Sequence, residues 1–377
     1  ERGFDIATAS INPVDRPLEK MTEQEKAEAT NTFFVKPQGM QGALRAAWQT
    51  LMVSPVAFFR GLLLALKMGR ADIPRTLYCL FYFAEALLVG QWMKQKGLTH
   101  LHAHFGNQGS TVAMLVAQTF PIQYSLTIHG PDEFFDVQGQ YLKEKVQAAK
   151  FVCCIGYYAQ SQLERLVDYS LWNKFFVSPL GVDPSRFLPR TEPDSDHFEI
   201  LCVGRLVAAK GQHVLVSAVE QLAREGRAVH LRLIGAGPDT ESLNTRIKNQ
   251  HLEECVTLEG VVNQDQIRNF YAQAHVFALA SFAEGIPVVL MEAMAMEIPC
   301  VTTNITGIPE LIESGETGFL VIPSDVDGLA NAIRKLMDDK VLRLRVGKAG
   351  REKVLRAYDL NKNIDKLAGI FKANISY

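Results

Sequence analysis

Several things are scarce in this chain, and each scarcity removes a class of function. There is no excess of either charge: 39 lysines and arginines stand against 41 acids in 377 residues, for a formal net charge of -2. A protein that grips nucleic acid through a basic face needs the opposite balance, so nucleic acid is excluded as a partner. Cysteine is sparse. The six present (Cys79, Cys153, Cys154, Cys202, Cys255 and Cys300) form no C-x-x-C pair and no zinc-type spacing with histidine. They sit in apolar runs such as FVCCIG and EILCVG, and read as reduced core thiols of a cytoplasmic protein. No clean span of about twenty apolar residues occurs. Glu85 breaks the longest apolar piece, while Pro55 and Arg60 interrupt the one before it, so a membrane-crossing helix is set aside. Neither a signal peptide nor a short-period repeat is visible. The opening ERGFDIATASIN reads as the end of a helix stopped at Gly3 and followed by a strand, so a preceding segment is expected.

What is present is an alternation of strand and helix patterns, the mark of an α/β protein with parallel sheets. In the first half the expected strands cover 4–11, 32–35, 100–104, 123–129, 151–156 and 174–178. In the second half they cover 199–204, 230–235, 255–259, 276–280, 300–303 and 317–321. Between the halves, PLGVDPSRFLPRTEPDSDHF (179–198) has the Pro, Asp and Ser content of a linker. Beyond 323 the pattern is helical. Residues 42–97 break the alternation with a run of helical segments, read first as a layer covering a sheet. Arg60, Lys67, Arg70 and Arg75 face only Asp72 there, which also suits peripheral contact with an anionic membrane.

Three stretches carry chemistry. ILCVGRLVAAKG ends a strand at Gly204 and places Arg205 and Lys210 in the loop before a helix. Ligands of open α/β sheets sit beyond the carboxyl ends of strands, where an Arg fork and a Lys point charge neutralise a diphosphate. RLIGAGPDTESL repeats that geometry with Gly235 and Gly237, glycines that permit a tight turn and close backbone approach. In SFAEGIPVVLMEAMAMEIP, Glu284 precedes a helix expected to start at Pro287, and Glu292 lies inside it. The free amides of Val288 and Val289 then form an anion site at the positive helix end. Glu292 lies about 7.5 Å further along the helix. Two carboxylates flanking an anion site match the order of a sugar–diphosphate–nucleoside: hydroxyls, charge, hydroxyls.

The run EGIPVVLMEAMAMEIPCVTTNITGIPELIESGETGFLV resembles the E-x7-E signature of family 4 glycosyltransferases, also called glycosyl transferases group 1. VGRLVAAKG is similar to that family's donor-phosphate loop and GVDPSRF to its interdomain linker, while HAHFGNQGSTVAMLVAQ and SLTIHGPDEFF resemble its bacterial exopolysaccharide and colanic-acid branch. The resemblance implies the GT-B fold, two Rossmann-like domains facing a cleft. The first domain is expected over 1–180, short of its first strand, with the helical insertion 42–97. The second is expected over 190–358, with 360–377 packing back on the first. The resemblance further implies transfer of a sugar from a nucleotide donor with retained configuration, without metal or other cofactor. It places Gly204, Arg205, Lys210, Gly235, Gly237, Glu284, Gly285, Ile286, Pro287, Val288 and Glu292 around the donor, with Val261 and Val262 facing the base. His129 in TIHG stands beside the anomeric centre as a catalytic residue with Arg205, Lys210 and Glu284, and His104, Gly106 and Asp132 lie on the acceptor side. Glu297 and Gly156 depart from the pattern, which commonly has glycine and serine there.

On this reading the chain moves a sugar to a growing, lipid-linked polysaccharide or other glycan, at the inner face of a cell membrane. A sugar-nucleotide epimerase and a non-catalytic sugar-nucleotide-binding scaffold are the alternatives. The two Asp-x-Asp pairs are not metal ligands: Asp194 and Asp196 fall in the linker, and Asp325 and Asp327 at a helix start.

Overall fold

The structure is a computed structural model that describes residues 2–14, 21 and 23–375. The chain forms two compact units. One comprises Glu1–Cys154, Gln160–Val177 and Ala368–Tyr377; the other comprises Ile155–Ala159 and Ser178–Leu367. The last helix, Leu360–Asn374, is therefore shared: its beginning belongs to the second unit and only its end, from Ala368, to the first.

In the first unit, β1 (Ala9–Ser10) and β2 (Phe33–Phe34) make a separate two-stranded parallel sheet. The strands expected over 4–11 and 32–35 are thus two residues each and do not join the main sheet. Most of the first stretch is exposed, and such a surface cannot support a buried central strand. The main sheet is β3 (His100–His104), β4 (Gln123–Ile128), β5 (Val152–Cys154) and β6 (Phe175–Val177), parallel and in sequence order. Phe371 of the last helix packs against this sheet, its ring 4.8 Å from His102 and 5.1 Å from Phe151.

The helical layer consists of Gly39–Val53, Pro55–Met68 and Ile73–Lys96. Asp72 caps the third helix by accepting from the Arg75 amide at 2.8 Å, and Gly97 ends it in the left-handed region at φ +69°. This helix has 24 residues and, by length and composition, is apolar enough to cross a membrane, despite Glu85. Its inner side, with Cys79, Phe83, Leu87 and Met93, is nevertheless buried against the neighbouring helices.

The second unit holds one six-stranded parallel sheet: β7 (Phe198–Val203), β8 (Val229–Ile234), β9 (Val256–Gly260), β10 (Val276–Leu279), β11 (Cys300–Thr303) and β12 (Phe319–Val321). Runs such as VFAL and CVTT are buried on both faces, because helices cover both sides of a parallel sheet. The spatial order β12-β11-β10-β7-β8-β9 is that of a dinucleotide-binding sheet, and it reverses between β7 and β10.

The segment expected to be a linker is irregular but docked on this unit. The Val182 amide donates to Tyr358 O at 3.0 Å, and Arg343 Nε to Glu192 Oε1 at 2.7 Å. All six cysteines are unpaired, five of them buried.

Candidate functional site

The reversal of strand order places the loop after β7 beside the loop after β10. Phe282 N donates to Ala209 O at 2.8 Å, and a Cβ on Gly211 (φ +61°) would stand 2.1 Å from Ala280 O. Glycine is required where the loops touch. Across this contact Lys210 Nζ lies 2.5 Å from Glu284 Oε1, which also accepts from Ser281 Oγ at 2.7 Å. Glu284 is 7% exposed and its carbonyl accepts from Thr306 Oγ1. The lysine assigned to a diphosphate and the carboxylate assigned to sugar hydroxyls are therefore ion-paired with each other. Arg205 is exposed, and among the described residues its guanidinium has no hydrogen-bond partner. Its carbonyl is held by Gln212 Nε2 at 2.8 Å.

Gly235 and Gly237 allow the close backbone approach expected of them. A Cβ on Gly235 (φ +138°) would meet Gly204 O at 2.0 Å, and one on Gly237 would meet Leu206 O at 2.1 Å. These glycines admit the neighbouring loop of the protein itself, which fixes the backbone that carries Arg205.

Pro287 is the residue before the helix Val288–Ala295 rather than its first member, with ψ 125°. No side chain caps this helix, and among the described residues the amides of Val288 and Val289 donate to no acceptor. Gly285 lies in the loop between, and Ile286 is buried in the core. Glu292 is half-buried and accepts from Tyr271 OH at 2.8 Å. Burial raises its pKa, against the pull of that hydroxyl and of Arg186. Tyr271, fully buried, was not singled out in the sequence; a buried phenol needs a partner for its hydroxyl, but nothing in NFYAQAHVF names Glu292 as that partner. Val261 and Val262 follow β9 in an irregular segment, the first exposed and the second half-buried.

Glu297 adopts φ +60°, the left-handed conformation that glycine takes without strain. Gly156 leaves room for Glu310, whose carboxylate accepts from the amides of Tyr157 and Tyr158 at 2.8 and 2.7 Å. Asp325 accepts from the Gly328 amide at 2.8 Å, while Asp194 and Asp196 are exposed. Among the described residues no group of three or more metal-ligating side chains exists.

The first unit gathers a second set. His104 ends β3 and His129 follows β4; His104 Nδ1 and His129 Nε2 are 3.2 Å apart, and Phe105 stacks on His129 with centroids 4.1 Å apart. Burial and the neighbouring His104 lower the His129 pKa to about 4, so its ring is neutral at pH 7. His102 is satisfied within the sheet by Ser125 Oγ at 2.7 Å and Thr127 Oγ1 at 2.9 Å. Gly106 has no free backbone group: its amide donates to Glu133 Oε1 and its carbonyl accepts from Lys145 Nζ at 2.8 Å. Asp132 is exposed in a short turn. Glu133 also accepts from the amides of His129 and Gly130, so one carboxylate ties both histidine-bearing loops together. Lys145, fully buried, holds Asn107 O at 2.6 Å as well, and its pKa is lowered to about 7 chiefly by burial. Glu133 and Lys145 were likewise not singled out in the sequence, being isolated charges in otherwise ordinary stretches.

A parallel sheet of dinucleotide-binding order, with cations and an uncapped helix start at its switch point, is the arrangement of an anion-binding α/β site. Residues 186–353, which lie in the second unit, match the family model of glycosyl transferases group 1. The chain is 38% identical over 212 residues to a protein of Escherichia coli (strain K12) named as the colanic acid biosynthesis glycosyltransferase WcaL, covering 53% of this chain and 51% of that protein. It is 34% identical over 206 residues to the amylovoran biosynthesis glycosyltransferase AmsK of Erwinia amylovora, with the same two coverages. The chain thus spans about half the length of these relatives. Among solved structures, sucrose-phosphate synthase from Thermosynechococcus elongatus superposes with a TM-score of 0.70 at 22% identity, covering 81% of this chain and 79% of that one. HepE of Anabaena, solved with UDP-glucose, gives 0.69 at 21% identity, covering 77% and 82%. The fold class is therefore α/β of the GT-B type.

Proposed function

We propose that the chain is a glycosyltransferase of bacterial exopolysaccharide assembly, taking a sugar from a nucleotide-sugar donor and passing it to a glycan. The observation that carries this reading is the grouping at the β7/β10 switch point: exposed Arg205, the Lys210–Glu284 pair and the uncapped helix start at Val288. In finer form, configuration is retained, no metal takes part, the acceptor is lipid-linked, and the protein sits peripherally at the inner face of the membrane.

The bond from the anomeric carbon to the diphosphate oxygen breaks, and a bond from an acceptor hydroxyl to that carbon forms. The acceptor's proton leaves with the diphosphate. Arg205, Lys210 and the Val288 amide address the negative charge that grows on the departing group, where losing one prearranged donor costs about 10²–10³ in rate. Retention places acceptor and leaving group on one face, so Glu284 positions the sugar and need not act as a nucleophile. Glu292 addresses the ribose. In the first unit, a neutral His129 can offer a hydrogen bond but not a positive charge.

Calorimetric titration with a panel of sugar nucleotides tests the donor site. Arg205→Ala and Glu292→Ala are each expected to weaken binding about tenfold or more, as for a hydrogen bond to a charged group. If both bind as tightly as the parent, the assignment fails. Incubating donor without acceptor and finding an isomerised sugar would favour the epimerase instead.

A further inference from the structure

The exposed apolar side chains are unevenly distributed: of the 28 large ones exposed among the described residues, 13 lie between Met40 and Phe81. They follow helical spacing. On Gly39–Val53 the exposed row runs Met40, Leu44, Trp48; on Pro55–Met68 it runs Val56, Phe59, Leu63; on Ile73–Lys96 it runs Ile73, Leu77, Phe81. These three helices pack on one another through their other sides, which bury Ala46 and Thr50 of the first, Ala65 and Met68 of the second and Phe83 and Leu87 of the third. Exposed apolar side chains concentrated in this way mark an interaction surface.

Charge selects the occupant. Residues 39–71 contain no aspartate or glutamate, but do contain Arg45, Arg60, Lys67 and Arg70. Arg70 meets Glu144 at 3.4 Å and Arg60 donates to the Gln118 carbonyl at 2.7 Å. Among the described residues, Arg45 and Lys67 have no acidic partner. A second copy docked on this face by two-fold symmetry would oppose cations to cations, with exposed Asp72 the one acid between residues 39 and 81 to relieve them. A bilayer with anionic headgroups presents the complementary charge over an apolar interior.

The geometry points to these three helices as a monotopic docking face that lies in the headgroup layer of an anionic bilayer, with Leu44, Trp48, Phe59, Leu63 and Leu77 immersed. This specifies the membrane contact within the proposed function, and its test needs no sugar nucleotide.

The test is flotation of the whole chain with phosphatidylcholine vesicles, with and without phosphatidylglycerol, alongside quenching of tryptophan fluorescence by brominated lipid. The chain is expected to float only with the anionic vesicles, and Trp48→Phe to abolish most of the quenching. Arg45→Ala/Lys67→Ala should weaken partition roughly 30-fold, since each cation near such a surface counts for about a factor of five. Leu44→Gln/Leu63→Gln/Leu77→Gln should abolish it. All six substituted positions are exposed, so unchanged circular dichroism is expected to show the fold intact. Absence of flotation, equal flotation with neutral vesicles, or variants that float like the parent overturns the inference. So does a parent that is dimeric, does not bind vesicles and becomes monomeric in the leucine variant. A chain that binds a sugar nucleotide yet ignores vesicles defeats this inference alone; one that floats yet binds no sugar nucleotide defeats only the donor-site reading.

Discussion

Glu284 shows how much a single residue's neighbours decide. Its carboxylate is buried beside Lys210 and Ser281, so removing the lysine leaves a negative charge with one neutral donor. Lys210→Met is expected to destabilise the protein by about 2 kcal/mol, less than a fully buried pair because the lysine is partly in water. Lys210→Met/Glu284→Gln should recover most of that stability, measured by urea unfolding, without recovering turnover. Recovery of neither, or of both, would show that the pair has no separate role in holding the loops. At Glu292, Tyr271→Phe removes a hydroxyl donor to a half-buried carboxylate. Sugar-nucleotide affinity is expected to fall about tenfold by calorimetry, from the loss of a charge-assisted bond. The carboxylates and cations of this site were all legible in the sequence as residues. Their pairing was not, because Lys210 and Glu284 are 74 positions apart and only the packed loops bring them together.

At the scale of elements, the left-handed turn at Glu297 is a place where local sequence and backbone disagree. Relief of the left-handed conformation in Glu297→Gly is worth about 1–2 kcal/mol, against about 0.5–1 kcal/mol of added chain entropy in the unfolded state. The balance predicts a gain of roughly 0.5–1 kcal/mol, read as a rise of a few degrees in melting temperature. An unchanged or lowered melting temperature would mean that the Glu297 side chain contributes more than its backbone costs. Eleven of the twelve strands lie within two residues of the expected bounds, because runs such as ILCV are apolar throughout and end at glycine or at a polar loop. The exception, β1, falls in a mostly exposed stretch whose pairing does not depend on burial. Pro287 was expected inside the helix and stands just before it, a one-residue shift of the kind that capping geometry sets.

For the molecule as a whole, the two units are held under different electrostatic conditions. In the first, burial lowers the pKa of His100 and His129 to about 4 and of His102 to about 3. The unfolded chain binds these protons at its ordinary pKa of about 6.5, so between that value and about 4 it takes up more protons than the folded state. Stability therefore rises with pH across this window and is lost as pH falls through it. Trp48, Trp92 and Trp172 all belong to this unit, so tryptophan fluorescence follows it alone. An acid titration should show the fluorescence transition above the pH at which far-ultraviolet circular dichroism is fully lost. Coincident transitions would mean that the histidines do not set the acid limit of the first unit.

Taken by itself, the amino-acid sequence determined the α/β class, the strand positions, the loops after β7 and β10 and the residue types in them. These depend on local periodicity, turn residues and apolar runs, which are written within a few positions of one another. Tertiary structure alone decided the order of the strands, the salt bridge between Lys210 and Glu284, the hydroxyl on Glu292 and the hold of Glu133 and Lys145 on the histidine loops. Each of these joins segments that only parallel pairing and packing bring together, so no stretch of the chain read alone contains it.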